Sequence, residues 1–285
     1  MTYSVVGRDP ESGEIGVAVQ SQAFNCGAAV PWAWPGVGAV ATQSSTDRRY
    51  GWRGLELLAR GSAPDAALEQ LRADDEFPEV RQVGIMAADG RSAQWTGSGC
   101  VSDAGDASGK HWIAQANMVA SPRVWSAMGE AFEATSGCLA KRLMDSLEAA
   151  EREGGDWRGR GGAAILVVPG EGEPWERVVD LRVEEGDESL GELRRLLERA
   201  LAYRAANRAI ESRESIGRRG SLPETHVRRL AIEDALDVGD LVTARSLFAD
   251  LTREQPRWRD FVRAAARWPE GQKFLPLLDD DVHSG

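Results

Sequence analysis

The sequence contains few of the residues that build metal centres and redox sites. It has three cysteines and three histidines among 285 residues. The cysteines Cys26, Cys100 and Cys138 form neither a CxxC pair nor a metal-ligand spacing, and three histidines do not support a histidine-based metal cluster or catalytic triad. We therefore expect neither a metal nor a cofactor.

Other absences narrow the functional class. The sequence has no apolar run of membrane-spanning length, no secretory hydrophobic region and no GxxxxGK[ST] phosphate loop. Its net charge is −11 and its pI about 5.0, whereas proteins that bind nucleic acid or anionic membranes need basic surfaces. An odd number of cysteines without a secretory signal favours a reducing compartment. We expect a cytoplasmic protein with a small-molecule substrate and no nucleic-acid or membrane partner.

Hydrophobic periodicity alternates between strand and helix over the first two thirds of the chain. Helical spacing begins near Arg49, after Ser62, at Val124 and at Leu139. The predicted strands are Tyr3–Arg8, Glu14–Gln20, Gly36–Gln43, Val80–Ala87, Ser92–Thr96, His111–Ala116, Ala163–Val168 and Val178–Val183. Groups of strands separated by pairs of helices predict an α+β protein, a four-layer α/β/β/α sandwich.

From about residue 189 the strand pattern stops and helical spacing continues almost to the end. We therefore divide the chain into an α/β/β/α domain, 1–188, and an all-helical extension, 189–285. Residues 235–248 resemble one helical-repeat hairpin, and a short acidic tail follows. The extension has two interpretations, a structural cap or dimer contact, or a module that binds a protein partner. An acidic surface with ten tryptophans is compatible with a homodimer or other homo-oligomer.

The first residues of the chain suggest a catalytic mechanism. Thr2 directly follows Met1 and precedes the first predicted strand. If Met1 is removed, the hydroxyl of Thr2 is a nucleophile, and its own α-amine, with a pKa of about 7.7–8.0, can act as the general base. The alternative is that a small residue at position 2 marks only N-terminal processing.

Four other positions are candidates for the same site. Asn117 follows a predicted strand and offers an amide N–H to a developing oxyanion, although it could instead cap a turn. Gln43 and Ser44 lie where another strand ends, a place where polar groups often face a pocket, so we predict that they contact the substrate; the alternative is ordinary turn chemistry. Ser4, which shares a strand face with Thr2, could orient the amine.

Asp156 and Arg158 flank a tryptophan in a glycine-rich segment. Asp156 could polarise the amine, and Arg158 could hold a substrate carboxylate through paired hydrogen bonds. The alternative is an Asp–Arg surface pair. Cys26 lies in a small apolar stretch with no nearby histidine, so we predict a buried structural thiol.

Several blocks of sequence together resemble the DUF1028 family of Ntn-hydrolase-like proteins, over roughly residues 2–205. The blocks are Thr2–Ser21, Val30–Ala33, Gly36–Gln43, Tyr50–Leu55, Arg81–Ile85, Thr96–Gly97 with Cys100, Gln115–Met118 and Gly155–Gly159. The resemblance implies the α/β/β/α fold and a superfamily whose active members cleave amide bonds with an N-terminal Thr, Ser or Cys. It names no substrate. Gly161-Gly162 departs from similar sequences, which usually carry a polar residue and a serine there.

Two hypotheses follow from the sequence. The first is an Ntn-type amidohydrolase that cleaves a small amide or related non-peptide C–N bond with Thr2, assisted by Asn117 and Asp156. The second is a catalytically inactive binding or scaffold protein that uses its cleft or its C-terminal helices.

Overall fold

The computed structural model describes the backbone of residues 2–212 and 223–282 and the side chains of 2–205 and 223–278. The chain divides into two compact units, residues 1–197 and 198–285. The division falls inside one helix, α5 (Ser189–Ser212), rather than at its start.

The first unit is a mixed α/β structure built on two antiparallel sheets. A six-stranded first sheet has the order β10-β9-β2-β1-β8-β7, and a four-stranded second sheet has the order β3-β4-β5-β6. The strands are β1 (Thr2–Arg8), β2 (Ile15–Ser21), β3 (Pro31–Trp34), β4 (Gly38–Ser44), β5 (Arg81–Ala87), β6 (Ser92–Thr96), β7 (Gly105–Gly109), β8 (Trp112–Asn117), β9 (Gly162–Val168) and β10 (Val179–Val183).

Four helices follow the strands as the spacing predicted. They are α1 (Arg48–Ala59), α2 (Pro64–Ala73), α3 (Arg123–Ala134) and α4 (Leu139–Arg152). The helix α2 begins at Pro64, whose fixed φ suits a first helical position. The helix α1 begins after Asp47, whose carboxylate accepts the N–H of Arg49.

Alternation along β1 sends its side chains to two different cores. Val6 lies in a buried cluster with Ala39 and Ala41 of the second sheet. The next residue, Gly7, faces the other way, where a Cβ would lie 2.5 Å from the ring of Phe132 on α3. One face of the first sheet therefore packs on the second sheet, and the opposite face packs on helices.

The second sheet divides its side chains in the same way. Val40 and Ile85, which point away from the first sheet, form a buried cluster with Tyr50, Leu55 and Leu71 of α1 and α2. A strand with apolar residues on both faces is buried on both sides, as the runs of small and β-branched residues in β4 and β5 require.

The sequence pattern missed two strands, β3 and β7. Both are edge strands. The strand β3 starts at Pro31, which cannot donate to a ladder and is tolerated at an edge. The strand β7 reads Gly-Asp-Ala-Ser-Gly, a composition typical of loops, and it forms because Gly105–Gly109 pairs along β8.

In the second unit the described residues after α5 form helices α6 (Glu224–Asp237), α7 (Leu241–Glu254) and α8 (Trp258–Ala265) and a 3₁₀ segment, Pro269–Val282. They share a buried cluster that includes Ile232, Phe248 and Leu277. The end of the predicted acidic tail, residues 283–285, lies outside the described residues. Within 2–212 and 223–282, no helix combines the length and apolar character that crossing a bilayer requires.

A buried ion pair anchors the segment between α2 and β5. The Asp75 carboxylate accepts from Arg81 Nε at 2.8 Å and is 3% exposed, and it also accepts the Tyr50 hydroxyl at 3.0 Å. The hydrogen bonds from Arg81, with those from Phe77 and Tyr50, lower the pKa of Asp75 to about 2. Because the folded pKa lies below the unfolded one, this contribution is present above pH 4 and is lost as the pH falls towards 2.

We predict that Asp75→Asn lowers the free energy of unfolding by about 1–2 kcal/mol at pH 7, allowing for partial solvation of Arg81. The difference from the wild type should shrink as the pH falls from 4 to 2. The control is Asp74→Asn, because Asp74 is 45% exposed and pairs with the partly exposed Arg53 at 2.8 Å; it should cost less than about 0.5 kcal/mol. Urea unfolding across this pH range measures both, and a pH-independent Asp75 effect would contradict the prediction.

Candidate functional site

Three polar side chains meet at one rim of the first sheet. Thr2 opens β1, Ser21 ends β2, and Asn117 ends β8. Thr2 is directly opposite Ser21 on one side and Asn117 on the other. Directly opposed residues of antiparallel strands share a face, and Ser4 on this face reaches Gln43 of the second sheet. The three side chains therefore lie at the mouth of the space between the sheets.

The hydroxyl of Thr2 has a fixed partner. Its Oγ1 donates to Ser21 Oγ at 3.0 Å, and the same Ser21 oxygen accepts the N–H of Ala23 at 3.1 Å. Thr2 is 8% exposed. Sequence reasoning missed Ser21, although the register of the β1–β2 hairpin would have placed it opposite Thr2. Met1, whose removal the nucleophile hypothesis needs, lies outside the described residues.

Gln43 is not placed to touch a substrate. It is fully buried, its Oε1 accepts the Ser4 hydroxyl at 2.7 Å, and its Nε2 donates to the carbonyl of Thr2 at 3.1 Å. The sequence did not anticipate this burial, because the Gln43 carboxamide is held between the Ser4 hydroxyl and the Thr2 carbonyl; its contact with a substrate stays a prediction. Ser4 correspondingly binds this amide, so its hydroxyl is directed towards the second sheet.

Gln82 of β5 is the centre of the polar network, although its sequence pattern did not single it out as a site residue. Its Nε2 donates to the carbonyls of Ala116 at 2.9 Å and Gly105 at 3.1 Å. Backbone carbonyls only accept, so these contacts fix the orientation of the Gln82 amide. Its Oε1 must then face the donors, and it accepts from Gln43 Nε2 and Asn117 Nδ2, both at 2.8 Å.

This orientation determines what Asn117 can offer. Because its Nδ2 donates to Gln82, its Oδ1 is left as an acceptor on the face that it shares with Thr2. Asn117 is fully buried, and its Oδ1 has no hydrogen-bond partner among the described residues. A buried unsatisfied acceptor costs about 1–3 kcal/mol. Nδ2 carries a second hydrogen, and the carbonyl oxygen is suited to receive an N–H or a water.

The Asp156 loop lies beside the end of β8. Asp156 forms a bridge with Val119, and its carboxylate accepts the backbone N–H of Gln22 at 2.9 Å and of Arg158 at 2.8 Å. Gln22 follows Ser21, so Asp156 ties its own loop to the segment that leaves β2. The Asp156 side chain is 1% exposed and the Arg158 guanidinium lies 3.4 Å from it. The two residues thus form an ion pair, but with a buried carboxylate rather than as the surface pair that the sequence left as an alternative.

Ser44 remains at the rim. It ends β4, is half-buried and has a left-handed backbone with a φ of 70°. Asp103 and Met118, which flank the rim ends of β7 and β8, also have positive φ values, 55° for both. Such conformations are costly for residues other than glycine and concentrate at functional sites. Three residues with this costly backbone conformation therefore lie at the same end of the two sheets as Thr2.

Cys26 is the buried structural thiol that the sequence predicted. It is 4% exposed, and burial, followed by the nearby Glu184 carboxylate, raises the pKa of the thiol to about 12. The thiolate needed for nucleophilic attack is therefore disfavoured. Among the described residues, no group of three His, Cys, Asp or Glu side chains could hold a metal ion.

We predict that Gln82→Glu destabilises the fold by at least about 2 kcal/mol, because an acceptor then faces the carbonyls of Gly105 and Ala116 in a fully buried position. The control is Gln94→Glu. Gln94 Nε2 also donates to a carbonyl, that of Ala114 at 3.0 Å, but Gln94 is half-buried, so water can solvate the new carboxylate. Denaturant unfolding measures the free energy of unfolding of both variants. Equal decreases would show that the hydrogen bonds of Gln82 stabilise the fold no more than that of Gln94.

Comparison with known proteins identifies the family of this chain. The DUF1028 family model, described as a family of unknown function, matches residues 2–193. Protein SPO2555 from Silicibacter pomeroyi, a DUF1028 protein of known crystal structure, is 31% identical, with a TM-score of 0.65 over 70% of this chain and 85% of that one.

A second solved structure is Anbu (ancestral beta-subunit) from Yersinia bercovieri, 12% identical, with a TM-score of 0.35 over 72% of this chain and 97% of that one. The search of curated proteins found no match. With about two thirds of its length matched by the family model, and with a relative of known structure, the chain belongs to the DUF1028 family.

Proposed function

We propose that this protein is an N-terminal-nucleophile amidohydrolase that cleaves a small amide or related C–N bond, with Thr2 as its nucleophile once Met1 has been removed. The observation that carries the proposal is the position of the Thr2 hydroxyl. It lies at the rim between two sheets, donates to Ser21 at 3.0 Å, and has Asn117 directly opposite on the neighbouring strand.

The fold supports the same proposal. The first sheet packs on α3 and α4, the second on α1 and α2, and the inner faces share one apolar cluster. We interpret these contacts as a four-layer α/β/β/α sandwich of the Ntn-hydrolase type, with the helical extension as a separate domain. In this arrangement the start of β1 opens onto the space between the sheets, where a substrate can approach the Thr2 hydroxyl.

The proposed reaction has two stages. The α-amine of Thr2 takes the proton from Oγ1, and Oγ1 bonds to the carbonyl carbon of the substrate. The amine then returns the proton to the leaving nitrogen as the C–N bond breaks, which leaves an ester between Thr2 and the acyl group. In the second stage the α-amine activates water, which attacks this ester and releases the acid with Thr2 restored.

Neighbouring groups have proposed roles in these steps. The remaining N–H of Asn117 stabilises the oxyanion, a type of contact whose loss costs about 10²–10³ in rate. Asp156 holds the Gln22 backbone beside Ser21, so it fixes the partner of the Thr2 hydroxyl. We assign Arg158 of the Asp156 loop and Ser44 at the end of β4 to substrate binding.

One observation favours the second candidate, an inactive binding or scaffold protein. The Asn117 amide is committed to Gln82 and fully buried, so little of the oxyanion donor faces the opening. In that case the cleft, or the C-terminal helices through a protein partner, would carry the function without turnover. Retention of Met1 would favour this candidate, because a blocked α-amine cannot act as the base.

The first test is the intact mass and N-terminal sequence of the purified protein, which we expect to begin at Thr2. A library of small amides should then show turnover that Thr2→Ala lowers by at least about 10³-fold, with partial activity in Thr2→Ser, because only the hydroxyl variant keeps a nucleophile. The control is Thr46→Ala, which removes an exposed threonine hydroxyl near the same rim.

Quantitative retention of Met1 would overturn the free-amine mechanism. Turnover that survives in Thr2→Ala, or that falls equally in Thr46→Ala, would remove Thr2 from the chemistry.

A further inference from the structure

Tyr3 follows the proposed nucleophile Thr2, but its side chain lies on the opposite face of β1, where it makes a separate polar contact. Side chains alternate along β1, so Tyr3 faces α4 while Thr2 faces the second sheet. Tyr3 is fully buried, and its hydroxyl donates to Glu151 Oε2 at 2.9 Å. Burial, and then the Glu151 carboxylate, raise the pKa of Tyr3 well above its ordinary value. The phenol therefore stays protonated and continues to donate this hydrogen bond.

The second oxygen of Glu151 holds the loop that carries Asp156. Glu151 Oε1 accepts from Arg160 Nε at 2.6 Å, and the Arg160 guanidinium also lies 3.1 Å from Glu188. Glu151 is 23% exposed, so water competes weakly for this carboxylate. One side chain thus joins the strand of Thr2 to the far end of the Asp156 loop.

Gly155, near the start of this loop, packs against the Glu151 carboxylate. Gly155 has a φ of 47°, and a Cβ there would lie 2.4 Å from Glu151 Oε2. Gly155 also accepts the N–H of Ala120 through its carbonyl. Only glycine allows the backbone to pass this close with that φ, so Glu151 contacts the residue that immediately precedes Asp156.

We propose that Glu151 is a positioning residue that couples β1 to the 154–161 loop. Its carboxylate binds Tyr3 on one side and Arg160 on the other, with Gly155 packed against it. It therefore fixes the distance between the start of β1, where Thr2 lies, and the loop from which Asp156 reaches Gln22. This inference rests on the proposed function for its catalytic meaning, whereas the mechanical coupling can be tested without turnover.

The experiment is limited proteolysis with trypsin under native conditions, with cleavage sites identified by mass spectrometry. Arg158 and Arg160 provide cleavage sites inside the loop, and the rate of cutting follows the population of the open loop. Arg60, exposed at the end of α1, provides a site that reports on general unfolding. The control variant is Glu148→Gln, since Glu148 is another carboxylate of α4 and pairs with Arg194 at 2.8 Å.

We expect Glu151→Gln to raise the rate of loop cleavage by about tenfold. Its rate of cleavage after Arg60 should stay within about twofold of the wild type, and so should the rate of loop cleavage in Glu148→Gln. Tyr3→Phe should raise loop cleavage too, and the double variant should open the loop no more than Glu151→Gln alone, because both changes break one connected contact. Equal loop cleavage in Glu151→Gln and Glu148→Gln would overturn the proposal. So would independent, multiplicative effects of the Tyr3 and Glu151 changes.

A substrate, once found, adds a kinetic comparison. Glu151→Gln should lower kcat with KM nearly unchanged, since Glu151 does not face the opening. Absence of turnover in the wild type would count against the amidohydrolase proposal and leave the proteolysis comparison decisive for Glu151. An unchanged kcat in a Glu151→Gln variant with an opened loop would overturn its role in positioning Thr2.

Discussion

The buried carboxamide of Gln82 is the interaction on which the site depends. It spans the gap between the sheets, donating to two backbone carbonyls of the first sheet and accepting from Gln43 and Asn117. A buried amide in this position must satisfy both of its ends, or the desolvation cost of about 1–3 kcal/mol per group destabilises the packing. Gln82 therefore holds the two sheets together at this point, while the β1–β8 ladder places Thr2 opposite Asn117.

The direction of this network has a chemical consequence. Carbonyl acceptors orient Gln82, Gln82 orients the Asn117 donor, and the acceptor of Asn117 is left on the side of Thr2. Side-chain amides are neutral, so they hold this polarity at any pH at which the protein is folded. The site thus has a fixed pattern of donors and acceptors around Thr2, and among its described residues the Asp156 carboxylate and the Arg158 guanidinium lie 3.4 Å apart as an ion pair.

Most of the fold could be predicted from the sequence, because its signals are local. The strands with alternating or continuous apolar runs and the four helices of the first unit match the observed elements closely, whereas β3 and β7 escaped because edge strands need few apolar residues. Thr2, Asn117 and Asp156 were predicted as site residues from their positions at the start or end of a strand or in a glycine-rich loop, and these roles stay predictions. Gln82 was not, because a glutamine in a strand has the same appearance whether it faces solvent or another sheet.

For a similar reason, the burial of Gln43 was not anticipated. Its place at the end of β4 suggested an exposed loop, yet Gln43 points inward, and the chain turns only at Ser44, where φ becomes positive. One residue of strand length decides between a buried and an open side chain, because successive side chains alternate between faces. The residue at which a strand ends depends on the partner strand, so it is harder to predict from local sequence than the strand itself. A strand such as β1 is therefore easier to identify from the sequence than the groups that surround its end, and in the proposed site those groups are what would distinguish a catalytic Thr2 from a merely buried one.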